Sequence, residues 1–125
     1  MLQIEFSQNF SGQIFPDFFQ DVRLNEEGLY AGNMFDGYLK SIRFGYVRIV
    51  SVRIFSYSKI NDTISYMAIG KPAAALALHI KNKHGNIIKP DTQLALITWE
   101  NVERNFETQG DLLQDWWQNK KKDRI

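Results

Sequence analysis

Tyr38-Leu-Lys-Ser-Ile42-Arg-Phe44-Gly-Tyr-Val-Arg48-Ile-Val50-Ser-Val-Arg53-Ile54 is the stretch on which the fold turns. Tyr38, Lys40, Ile42 and Phe44 alternate with Leu39, Ser41 and Arg43, the period of two that a half-buried strand shows. Gly45-Tyr46-Val47-Arg48 disturbs that phase, because Arg48 falls where an apolar residue is due. Beyond it Val50, Val52 and Ile54 share one face while Ser51 and Arg53 take the other, and the β-branched content is high. Two strands separated by a break at Gly45 to Arg48 are the expected local structure.

Working outward toward the start, Asp21-Val-Arg-Leu-Asn25 and Leu29-Tyr-Ala-Gly32 flank Glu26-Glu27-Gly28, where glycine supplies the positive φ of a tight turn. This predicts a hairpin, with Asn33 and Asp36-Gly37 forming the next turn. Leu2, Ile4 and Phe6 alternate, but Gly12 and Pro16 interrupt the phenylalanines that come after, so residues 1–20 are expected to be an irregular or edge element.

Toward the end, Ser58 to Asp62 reads as a turn, Thr63 to Ile69 as a strand, and Gly70-Lys71-Pro72 as its end. Leu76, Leu78 and Ile80 alternate with Ala77, His79 and Lys81 as a further strand up to a turn at Asn82 to Asn86, and Ile87 and Ile88 begin the return. Residues 92–106 fit both periods. Ala95, Trp99, Val102 and Phe106 mark a helical stripe, whereas Leu94, Leu96 and Thr98 against Ala95, Ile97 and Trp99 mark a strand. Thr108-Gln-Gly-Asp111 has the form of a capping box, and Leu112, Leu113, Trp116 and Trp117 follow at helical spacing. Lys120, Lys121 and Lys122 suit the negative end of that helix. Ile42, Phe44, Val50, Val52, Ile54, Leu76, Leu78 and Ile80 are expected to share one core.

The 125 residues, 44% hydrophobic and 23% charged, suit one domain spanning 1–125. The absence of cysteine excludes disulfides, thiolate metal sites and thiol nucleophiles. With no membrane-length apolar run and no signal-peptide pattern at the start, the expected location is cytoplasmic. The net charge of +1 is unevenly spread. Residues 1–36 carry one base, Arg23, against six acids, a net −5; residues 37–90 carry nine bases against Asp62, a net +8; the last 35 residues sum to −2. A segment at +8 either forms a face for anions or folds against the acidic flanks and is neutralised there.

Six or seven short antiparallel strands closed by one C-terminal amphipathic helix form the layout of the pleckstrin-homology superfold. Arg23-Leu-Asn-Glu-Glu-Gly28-Leu-Tyr30 and Ile42-Arg-Phe-Gly-Tyr-Val-Arg-Ile-Val-Ser-Val52 resemble the bacterial pleckstrin-homology-like (PH-like) domains over about residues 21–122. The resemblance implies a mainly β fold, a bent antiparallel sheet or partly open barrel of six to seven strands capped by the C-terminal helix. It also implies a noncatalytic scaffold that binds proteins, peptides or lipid headgroups. Phe44-Gly45-Tyr46 replaces the proline-tryptophan region of that family. The candidate second strand, Leu29 to Asn33, lacks the basic residues that phosphoinositide binding requires, so that activity does not carry over.

The chemistry points away from catalysis. His79 and His84 are five positions apart with no acidic neighbour in sequence, which makes a poor metal site. Glu26-Glu27 falls in a turn, and Glu100, Glu103 and Glu107 repeat as a solvated helical face would. No phosphate-cradling or dinucleotide-binding glycine pattern is present. No enzyme activity, catalytic residue, metal or cofactor is therefore expected. Trp117, Tyr46 and Arg48 are the candidate partner-binding residues and Arg43, Arg53 and Lys81 the candidate anion-binding ones. The expected function is a noncatalytic binding or scaffold module for a protein or anionic partner. A protein or peptide is the favoured partner, with weak anionic lipid or phosphate binding and no specific nucleic acid. The other readings are a small β-barrel holding an apolar ligand and an unrecognised hydrolase.

Overall fold

Leu39 lies opposite Ile42 across a two-residue turn in which Lys40 and Ser41 both take positive φ, 50° and 64°. Two left-handed residues in succession make the turn whose twist matches paired strands. The tight turn therefore falls at Lys40-Ser41 rather than at Asp36-Gly37. Gly37 sits inside a strand for a different reason: a Cβ there would come within 2.7 Å of Cζ of the Phe44 ring.

The computed structural model describes residues 2–6 and 16–104. In chain order these form β1 (Leu2–Phe6), β2 (Phe18–Leu24), β3 (Met34–Leu39), β4 (Ile42–Ser56), α1 (Asp62–Ile69), α2 (Ala73–His84) and β5 (Gln93–Arg104). Short 3-10 turns lie at Tyr57–Lys59 and Gly85–Ile87. The strands make one mixed, open sheet in the order β1-β3-β4-β5-β2. β1 runs parallel to β3, and every other neighbouring pair is antiparallel. The outer strands approach each other, because the sheet curls: the Phe6 and Phe19 rings meet edge to face at 5.3 Å.

β5 shows why both periods fitted residues 92–106. Ala95, Ile97 and Trp99 enter one core with Phe6, Phe19, Phe35, Phe44, Val47 and Ile49. Leu94 and Leu96 enter another with Ile64, Ala68, Ile69, Leu76, Ile80 and Ile88. A strand covered on both faces is a nearly continuous apolar run, which periodicity alone does not resolve. Asn101 is buried at its far end, where its Nδ2 donates to the carbonyl of Pro16 at 2.6 Å.

Among the described residues five strands in a mixed, open sheet and two helices stand in place of the expected six to seven antiparallel strands, and this is not the PH-like layout. Thr63 to Ile69 and the segment containing Leu76, Leu78 and Ile80 are helices. Asn61 caps α1 by accepting the Ile64 N–H at 2.9 Å, Asp62 lies in its first turn, and Gly70 at φ 69° ends it. Asp62 also accepts the Ala73 N–H at 2.8 Å, so one acidic residue starts both helices. The run Ala73-Ala74-Ala75 favours α2, and Lys81, Lys83 and His84 suit its C-terminal end. Burial decides the period: Leu76 and Ile80 are buried while Leu78 is 61% exposed. Ile87 belongs to a 3-10 turn, not to a return strand.

Two further expectations fail for a reason of register. β2 pairs with β5, not with Leu29 to Gly32, so the predicted hairpin is absent although Gly28 does turn at φ 91°. β4 runs unbroken through Gly45 to Arg48 but carries one extra residue against β3, Phe44, and one against β5, Val50, while the irregularity at Tyr46/Val47 places its extra residue, Val102, in β5. Each extra residue reverses the facing of the side chains beyond it. Val47 and Ile49 thus join Phe44 in the core, whereas Val50 and Ile54 are exposed. The single shared core becomes two, one on each face of the sheet. The predicted helix with Leu112, Leu113, Trp116 and Trp117 lies outside the described residues.

Candidate functional site

On β2, alternate residues face opposite ways, and Asp21 and Arg23 share the face of Phe19. Their register partners on β5 are Ile97 and Ala95, which places this acid and base inside the curled sheet beside Trp99. Burying them requires partners, and the geometry supplies them. The Trp99 Nε1–H donates to Asp21 Oδ1 at 2.7 Å, and the Arg23 Nε and Nη2 donate to Asp21 Oδ2 at 3.0 and 2.7 Å. Arg23 Nη2 also donates to the backbone carbonyl of Glu5 at 3.4 Å, spanning from β2 to β1. The guanidinium lies 5.0 Å from the centre of the Phe6 ring and 5.5 Å from that of Trp99. Asp21 and Arg23 retain only 14% and 18% of their side-chain exposure.

Where β1 and β2 approach without pairing, α2 closes the third side and leaves a cleft of about 50 Å³, room for a group of a few heavy atoms. Phe6, Val22, Leu24, Leu76 and Ile80 supply its apolar wall. Its polar groups are Glu5, Asp21 and Arg23 on the strands and His79, Lys83 and His84 on α2. Helical spacing explains the second set: His79 and Lys83 are one turn apart, flanking the buried pair Leu76 and Ile80. Burial and the adjacent Lys83 charge hold both histidines below the ordinary imidazole value. The charge of His84 further lowers His79, while Glu26 acts on His84 in the opposite sense.

The candidate residues named from the sequence lie elsewhere. Arg43 pairs with Asp36 at 2.9 Å and lies 4.4 Å from the centre of the Tyr46 ring, so those two candidates do come together. Arg48 pairs with Glu100 at 2.5 Å. Both pairs join the basic middle segment to an acidic flank. Arg53 is exposed on β4 and Lys81 is exposed on α2. Trp117 lies outside the described residues.

Sequence reasoning missed Asp21, Arg23, Trp99 and Lys83. Arg23 had a signal of its own, as the one base among the first 36 residues. Reading a strand up to Lys81 and a turn at Asn82 to Asn86 puts His79 and Lys83 in different elements and hides the helical turn that joins them. A second, more open hollow of about 350 Å³ lies among Pro16, Phe18, Gln20, Met67 and Thr98, with no charged group among the described residues that line it. Among the described residues no helix is long and apolar enough to cross a membrane.

No family model matches the chain, and no curated protein does so either. Among solved structures, a protein of Enterococcus faecalis V583 described under the family model DUF984 is similar, with a TM-score of 0.66. The match is 15% identical and covers 88% of this chain and 82% of that one. The likeness is one of fold.

Proposed function

We propose that the chain is a cytoplasmic, noncatalytic binding module that takes a negatively charged group of its partner into the cleft between β1, β2 and α2. The observation that carries this is Arg23: Asp21 orients the guanidinium, two aromatic rings flank it, and it opens onto a cleft whose far wall holds Lys83 and two histidines. A guanidinium fixed in advance loses little freedom on binding an oxyanion. Among the described residues the cleft is lined by no serine, threonine or cysteine. Arg43 and Arg48 lie outside this cleft, engaged by Asp36 and Glu100. Of the N-terminal phenylalanines that suggested an apolar ligand, Phe6 and Phe19 pack on each other and on Trp99.

Backbone NMR shifts recorded during titration with inorganic sulfate and with a glutamate-rich peptide test this. Changes should concentrate on residues 21–24 and 79–84 and disappear in Lys83→Gln. Shifts confined to Arg43, Arg53 and Lys81 would place the anion on the outer surface and refute the cleft.

A further inference from the structure

We propose that this cleft is gated by protons: it is electrically balanced when His79 and His84 are neutral and becomes an anion trap when they are protonated. The inference rests on the reading of the cleft as an anion site. Its basis is the inventory of charges that face the two histidines. β1 contributes Glu5, β2 contributes Asp21 and Arg23, and α2 contributes Lys83, while the α1 residues at the cleft, Ala68 and Ile69, carry no charge. Among the described residues the two acids and two bases of the lining cancel, and protonating both histidines therefore takes that set from neutral to +2. Glu26, just beyond β2, acts on His84 alone.

The coupling runs both ways. With the lining balanced, burial and the Lys83 charge leave the imidazoles reluctant to take a proton. An oxyanion held between Arg23 and Lys83 reverses the local field and favours protonation of both rings. Protons and anion then raise each other's affinity by the same factor, as linkage requires. Because the cleft admits only a few heavy atoms, the ligand is a single oxyanion, either free or as the exposed acidic group of a larger partner.

Sulfate suits the test because it keeps its charge between about pH 5.5 and pH 8. Its affinity should rise by roughly tenfold or more from pH 8 to pH 5.5, since a proton taken up with the anion changes affinity tenfold per pH unit between the pKa of the free and that of the anion-bound protein. The double variant His79→Gln with His84→Gln should bind with little dependence on pH. If that variant does not fold, side-chain NMR of the native protein gives the same answer: the pKa of both histidines should rise when sulfate is added. A glutamate-rich peptide that binds more tightly than sulfate would assign the ligand to a macromolecule, and the reverse order to a free ion; either fits the gate. Binding that does not vary with pH, or histidine pKa values that sulfate leaves unmoved, would overturn the gate alone. Absence of binding at every pH would overturn the anion site beneath it.

Discussion

Trp99 and Asp21 are joined by a 2.7 Å hydrogen bond between two strands at the edge of the sheet, with the indole fully buried and the carboxylate nearly so. One Asp21 oxygen is committed to the indole and the other to Arg23, so core packing and the floor of the cleft depend on the same side chain.

Asp21→Ala is therefore expected to leave both the indole N–H and the guanidinium without their acceptor. Denaturant unfolding should show a loss of about 2–4 kcal/mol, the range for stranding buried polar and charged partners. Trp99→Phe in the same background should cost less than it does alone, because the hydrogen bond has already gone. Independent, additive losses would show that the two residues do not act as a pair.

Gly37→Ala should lose about 1–3 kcal/mol through overpacking against Phe44, whose ring atoms lie where the methyl would go. Phe44→Leu should be better tolerated in that variant than in the native chain. If thermal melting finds Gly37→Ala as stable as the native protein, the close approach is not a constraint.

At the β3–β4 turn, Lys40 and Ser41 hold a conformation that L-residues adopt at a cost of roughly 1–2 kcal/mol each. Replacing them together, Lys40→Asn with Ser41→Gly, should stabilise the protein by about 1 kcal/mol. A lower melting temperature would mean that these side chains contribute more than their turn costs.

Helix α2 makes an asymmetric prediction. Leu76→Ala should lose about 2–5 kcal/mol, as a core truncation does, whereas Leu78→Lys should change stability by no more than about 0.5 kcal/mol. Had this segment been a strand, both leucines would lie on one face and both variants would be damaging.

Acid should weaken the fold through His79 and His84. Both take up a proton less readily in the folded chain than at their ordinary value near 6.5. The unfolded chain then binds more protons, and stability rises with pH across that interval. Their contribution is fully present above about pH 6.5 and is lost as the pH falls through the lowered values. Unfolding curves at about pH 5 and pH 7.5 should show this difference, and His79→Gln should reduce it; an unchanged difference would trace the pH effect to other groups.

The sequence was most legible where local chemistry decides the backbone. Asp21 to Leu24 and the residues about Val50 are strand, and Gly28 takes the positive φ expected of it. It was least legible where an alternation of two contains a helical step of four. Leu76 and Ile80 share a face under either period, so Leu78 alone distinguished them, and nothing local says that Leu78 faces solvent. The Asn61-Asp62 cap and the alanine run carried the helical signal. Strand pairing was illegible for another reason: β2 was assigned to its sequence neighbour, whereas its partner lies almost at the far end of the described chain. Since the cleft is built from β1, β2 and α2, its residues could not be gathered until that pairing and the helix were known.

That distant pairing has a consequence for synthesis. Phe18 lies opposite Glu100, which is translated 82 positions later. At about 5–20 residues per second, β2 leaves the ribosome roughly 4–16 seconds before its partner strand exists. Phe19 and the Asp21–Arg23 pair have no finished core to enter during that interval, while the β3–β4 hairpin can close as soon as its own residues are made. Substitutions that reduce the stickiness of nascent β2 are thus a route to higher soluble yield that no measurement of equilibrium stability would reveal.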